Sequence, residues 1–253
     1  MFSERSSPPA LFGVSALLFV ASAAVTIGWC GSMSAMGEMP MPGGWSMSMA
    51  WMRMPGRSWP GAAASFLGMW VVMMVAMMLP SALPTLARHG KDGRLTIVAG
   101  AGYFFVWTVI GAAAFPVGIA LAEIEMRSAP LSRAVPLAAG ALVLVAGAFQ
   151  LTAWKARNLA CCRDGSAYDS GLPDGFHAAW RHGVRLGLDC GRCCGNLMAI
   201  LMVIGVMDLR AMALVTAAIS AERLAPAGAR IACVIGAVVI GVGLFMIARA
   251  AGL

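Results

Sequence analysis

Of the 253 residues, 60% are hydrophobic before the 30 glycines are counted, and only 11% are charged. A soluble domain carries about 25% charged residues, so this chain could not cover a water-facing surface, and it is equally far from the composition of a disordered one. The net charge of +7 fits loops facing anionic lipid and not a nucleic-acid surface, and no nucleic-acid-binding motif is present.

Residues 9–29 form an apolar run preceded by Arg5. It is longer than a signal-peptide core and lacks a small-x-small cleavage pattern before Cys30, so it reads as an uncleaved first span. Residues 31–60 are rich in Met, Gly, Pro and Trp, and their repeated Pro and Gly exclude a regular spanning helix. The second span is expected over 62–86, with Pro80 and Pro84 kinking its end. A basic loop at 88–94 leads to a third span over 95–121, and a fourth follows over 134–153. Residues 154–187 read as a polar, basic loop, and 188–207 as a fifth span. The sixth, 211–224, has only 14 residues and fits a tilted or re-entrant segment. A seventh runs over 231–248. The expected fold is an all-α polytopic bundle of about seven spans, one integral membrane domain over 1–253. Few β-type alternations argue against an outer-membrane barrel.

Sidedness follows from charge. With the N-terminus in the cytoplasm, 12 of the 18 basic residues lie inside and 6 outside, as the positive-inside rule prefers. The Met-rich segment then faces the periplasm or exterior, and 154–187 the cytoplasm.

The chain has 20 methionines. Eight fall in the outer segment: Met33, Met36, Met39, Met41, Met47, Met49, Met52 and Met54. Five more, Met69, Met73, Met74, Met77 and Met78, lie in the second span, where 69/73/77 and 74/78 are i, i+4 repeats that stack along one helical face. Thioether sulfur is a soft, uncharged ligand suited to Cu(I). It is also adaptable packing material, a reading that is stronger for the helix stripe than for the outer segment. The candidate thioether ligands are Met47, Met49, Met52 and Met54 with the five of the second span.

Seven cysteines are present. Cys190, Cys193 and Cys194 form a CGRCC run at the inner end of the fifth span, and Cys161 and Cys162 lie in the expected inner loop. A C-x-x-C pair can serve a metal or a redox centre, and Cys161 or Cys162 could supply a further ligand. Small apolar packing is the bland alternative. His89, His177 and His182 fall in expected inner loops; His177 and His182 could assist the cysteines, but solvent exposure is the stronger reading. Gln150, Asp208, Arg210, Glu222 and Arg223 are polar groups in or near spans, explicable by capping, snorkelling or interhelical hydrogen bonds. No HExxH, GxSxG or phosphate-binding loop occurs.

Residues MPMPGGWSMSMAWMRMPG followed by SFLGMWVVMMVAMMLPSALP resemble a bacterial family of predicted metal-binding integral membrane proteins, the domain-of-unknown-function family 2182. The segments QLTAWKARNLACCR, DCGRCCGNLM and AERLAP carry the resemblance into the second half, over roughly residues 29–230. The resemblance implies metal binding. It aligns Cys190, Cys193 and Cys194 with the family's cysteine trio and Cys162 with the second of two spaced cysteines, the first falling on Asn158. Gly195 stands where the family often has Trp, and Arg223 replaces a Lys.

The expected function is soft-metal handling in a bacterial inner membrane, with copper as Cu(I) the best match and zinc a weaker one. Outer methionines would collect the ion, the helix ladder relay it, and the inner cysteines receive it. The alternatives are a membrane metalloenzyme or its accessory subunit, a thiol-redox membrane protein, and a structural subunit. The expected partners are the bilayer and a homo-oligomer or membrane-complex subunit, with no nucleic acid.

Overall fold

The computed structural model describes residues 9–35, 37, 39–48, 51, 56, 58–89, 93–164 and 175–252. Among these residues the fold is eight helices and one small hairpin: α1 (Pro9–Ala35), β1 (Met39–Met41), β2 (Trp45–Met47), α2 (Trp59–His89), α3 (Gly93–Arg127), α4 (Ala129–Gln150), α5 (Ala153–Asp164), α6 (Phe176–Ile204), α7 (Leu209–Leu224) and α8 (Gly228–Ala250). Six are long and apolar enough to cross a membrane: α1, α2, α3, α4, α6 and α8. The all-α bundle is as expected. The expected seven spans become six long ones, because α7 has 16 residues, about 24 Å of helix against a hydrocarbon core of about 30 Å.

Residues 154–187 are not one loop. They hold α5 and the first turns of α6. Averaged hydropathy hid both. In α6 the residues Ala179, His182, Gly183, Gly187 and Cys190 are buried on one face while Arg181, Arg185 and Arg192 are exposed on the other, a 3.6-residue pattern that a mean over the window erases. Among the described side chains of α5, Lys155 and Leu159 alone face fully inward, one turn apart.

Glycine sets how closely the helices pack. Between α3 and α6, a Cβ on Gly183 would lie 1.9 Å from the Ala99 carbonyl oxygen, and one on Gly102 would lie 2.6 Å from that of Trp180. Between α4 and α8, a Cβ on Gly147 would meet the Ile240 nitrogen at 2.8 Å, and one on Gly243 the Leu144 nitrogen at 2.7 Å. Backbones can approach this closely only where a side chain is missing, which is how spanning helices gain packing contact without a hydrophobic drive. Leucine, valine and phenylalanine at Leu17, Val20, Leu214, Val234 and Phe245 stand exposed around the outside, as a lipid-facing surface would.

The hairpin caps one end of the bundle. Met39 pairs with Met47 and Met41 with Trp45, and Gly43 and Gly44 turn the chain at φ of +110° and +75°, a region that favours glycine. The Trp45 indole donates to the Ser132 carbonyl at 2.9 Å, and the Ser132 hydroxyl donates back to the Pro42 carbonyl at 2.9 Å. This fixes the hairpin on the first turns of α4.

Candidate metal centre

The sulfur-bearing helices α2 and α6 share one core. Met69, Met73, Met74, Met77 and Met78 are each at most 5% exposed, and they belong to one contiguous buried cluster with Cys30, Cys190, Cys194, Met198 and Met212. Two i, i+4 sets on α2 place these sulfurs along its inward face. Trp70 is held between them and α3: its indole donates to the Trp107 carbonyl at 2.8 Å, over Gly111, where no Cβ could fit.

The cysteine trio divides between two faces of α6. Cys190 Sγ lies 3.4 Å from Cys194 Sγ, and Cys194 donates to the Cys190 carbonyl at 2.8 Å. Two sulfurs bound to one ion through bonds near 2.3 Å can be no more than about 4.6 Å apart, so this pair fits a shared soft ion. Two other helices converge on Cys190 Sγ. From α3 the Tyr103 hydroxyl donates at 3.0 Å. From α7 the Arg223 guanidinium donates at 3.2 Å, and it also donates to Ser81 Oγ of α2 at 3.1 Å. Ser81 in turn donates to the Met78 carbonyl at 3.1 Å, which ties the cysteine pair to the end of the methionine ladder. The close α3–α6 approach at Gly183 and Gly187 is what brings Tyr103 within reach.

Cys193 faces α5 instead, packed with Leu159, Ala232 and the half-buried Cys162. The Cys162 thiol donates to the Asp189 carbonyl at 3.2 Å. Hydrogen bonding with Cys193, then burial, pushes this thiol well above the ordinary range. Behind it sits a buried charge pair. Lys155, fully buried, meets Glu222 Oε2 at 2.7 Å and donates to the Cys193 carbonyl at 2.6 Å. The Gln150 amide donates to the other Glu222 oxygen at 2.5 Å. Arg163 closes the group with a bond to the Pro226 carbonyl at 3.1 Å.

Several expected ligands sit elsewhere. Cys161 is exposed and does not join the cluster. Met47 is buried in the hairpin cluster with Met41 and Ala122, apart from the main core. Met49, Met52 and Met54 lie outside the described residues, as does Met36. Of the histidines, His177 is exposed, but His182 is buried on α6 at 4% exposure, because its stretch is helix and not loop. The side chain of His89 lies outside the described residues. Among the described residues no three Cys, His, Asp or Glu side chains are placed to hold one ion. The donor set at the core is therefore two thiols with thioethers nearby, which matches soft-ion chemistry better than a closed zinc site.

Sequence reading missed Tyr103, Ser81 and Lys155 as neighbours of the cysteines. Tyr103 and Ser81 come from helices far away in the chain. Lys155 could have been suspected from its place five residues after Gln150, on the motif segment that also carries Cys162.

Comparison with known proteins supplies one match. The family described as PpoB2, copper chaperone, matches residues 67–246, which includes the α2 methionines, both cysteine faces and the buried charge pair. No curated protein and no solved structure matches the chain.

Proposed function

The chain belongs to the PpoB2 copper chaperone family, and from that premise we propose that it is a membrane-embedded carrier of Cu(I), which passes the ion from methionine thioethers to the Cys190–Cys194 pair. The observation that carries this reading is the single buried core holding five α2 methionines and both cysteines. A soft monovalent ion finds uncharged sulfur along α2 and stronger thiolate ligands at Cys190 and Cys194. The ligand gradient points toward the cysteines.

The surrounding residues have defined tasks. Tyr103 and Arg223 hold Cys190 Sγ in place from two helices. Lys155 and Glu222 pin α5 and α7 against the opposite side of α6. Copper is the cargo in this scheme, and the chain's part is to bind it, keep water away and fix the sulfur positions. The chain lies in the bacterial inner membrane with the hairpin end outward, the orientation that the distribution of basic residues favours.

The test is anaerobic Cu(I) titration of the detergent-purified full chain against a chromophoric competitor. Wild type is expected to hold Cu(I), Cys190→Ser/Cys194→Ser to lose at least tenfold in affinity, and Met73→Leu/Met77→Leu to lose stoichiometry while staying folded. A wild type that holds no Cu(I), or a cysteine variant that matches it, would overturn the proposal.

A further inference from the structure

The end of the bundle beneath the hairpin contains a cavity of about 790 Å³. Its walls are the hairpin, the C-terminal half of α3, the middle turns of α4, and the junction between α6 and α7. Three thioethers from three separate places line it: Met47 from β2, Met202 from the end of α6, and Met207 from the turn before α7. Glu125 lines it too. Its carboxylate makes no hydrogen bond or ion pair with any described residue, whereas the other acid in the wall, Asp208, is engaged in capping α7.

One wall residue also begins a path inward. Along α6, Met202, Met198, Cys194 and Cys190 follow one another at steps of four residues. Each step is about 6 Å along the axis and turns the row by about 40°, or about 120° from Cys190 to Met202. Met198, Cys194 and Cys190 are 5%, 1% and 0% exposed, and Met202 packs against the same core. The four sulfurs thus lead from the cavity to the cysteine pair over about 18 Å of helix.

We propose that this cavity is the loading site for the soft monovalent cation, with Met202 and Met207 as its receiving ligands beside Met47, and that Met202–Met198 is the first stage of a second sulfur ladder, on α6. The proposal rests on the copper reading above and adds where the ion is taken in. The cavity wall carries charge of both signs, Glu125 and Asp208 with Arg210, so selection falls to the thioethers, which favour a soft ion, and thiolates lie further along α6.

The experiment uses Ag(I), a redox-silent soft cation, and the purified full chain. Stopped-flow absorbance follows the arrival of Ag(I) at the Cys190–Cys194 thiolates. Met202→Leu/Met207→Leu is expected to slow arrival at least tenfold while the Cys190–Cys194 pair still fills in the end. Met202→Cys, which restores a soft ligand, is expected to recover most of the rate. A second measurement does not depend on the leucine variant: in a Cys190→Ser/Cys194→Ser background, where the stronger thiolate pair no longer draws the ion inward, one equivalent of Ag(I) is expected to slow maleimide labelling of Met202→Cys at least fivefold. Unchanged arrival in the double leucine variant, or unprotected labelling of Met202→Cys, would overturn the loading site while leaving the copper reading intact. A wild type that takes up no Ag(I) and no Cu(I) at any rate would overturn both.

Discussion

Lys155 and Glu222 form an ion pair buried in the bundle, and a double-mutant cycle measures it. Lys155 is 0% exposed and Glu222 1%. Lys155→Met keeps the length and the apolar stem of the side chain but leaves the Glu222 carboxylate with the Gln150 amide as its remaining side-chain partner. Stranding one member of a buried ion pair costs about 3–5 kcal/mol. At roughly 2–4 °C per kcal/mol for a chain of this size, Tm falls by roughly 6–20 °C. Glu222→Met should cost about as much, because it strands an ammonium group. The double variant removes both charges. What then remains is the Gln150 amide without its acceptor, a loss of about 1–3 kcal/mol, so the double variant should be more stable than either single one. The assay is thermal unfolding in detergent, read by a thiol-reactive fluorophore that reports exposure of the buried cysteines. It is run in a Cys161→Ser/Cys233→Ala background, since those two thiols are exposed in the native state. A double variant whose loss equals the sum of the two single losses would show that the charges do not interact, and would refute the reasoning.

Three further predictions follow from the packing around the cysteines. Gly183→Ala drives a methyl group to 1.9 Å from the Ala99 carbonyl oxygen; it should cost about 1–3 kcal/mol or more and open Cys190 to maleimide. Gly191→Ala, whose Cβ would meet only Ile110 at 3.8 Å, should be neutral or stabilising by up to about 1 kcal/mol; equal losses in the two variants would sink the packing argument. Tyr103→Phe removes one hydrogen bond to Cys190 and should lower stability by about 0.5–1.5 kcal/mol, seen as a Tm shift with the fold retained. In native protein at pH 8, mass spectrometry after maleimide treatment should find Cys161 modified and Cys190, Cys193 and Cys194 untouched. Cys162 should also stay unmodified, because the thiolate is the reactive form and hydrogen bonding with Cys193 and burial hold its thiol protonated. Modification of Cys162 as fast as that of Cys161 would contradict its placement against α6.

Much of the architecture is a local property of the chain. A span is about 20 consecutive apolar residues, and windows over α1, α2, α3, α4 and α8 meet that condition without reference to any other segment. The Pro and Gly density after residue 36 forbids a spanning helix there for equally local reasons. The stacking of Met69, Met73 and Met77 follows from 3.6 residues per turn. Copper was legible too, because ligand softness belongs to the side chain and needs no fold to express it.

The rest depended on where helices meet. The division of the cysteine trio is decided by what stands on each side of α6: Tyr103 and Arg223 against Cys190, α5 against Cys193. Tyr103, Arg223 and Lys155 of α5 lie 87, 33 and 38 residues from the cysteines they meet, and their arrival depends on glycine contacts between backbones that no single segment encodes. Glu222 and Arg223 look alike in the sequence as adjacent boundary charges. One ends in a buried ion pair and the other on a thiol, because neighbouring residues on a helix are turned about 100° apart and different helices wait in those two directions.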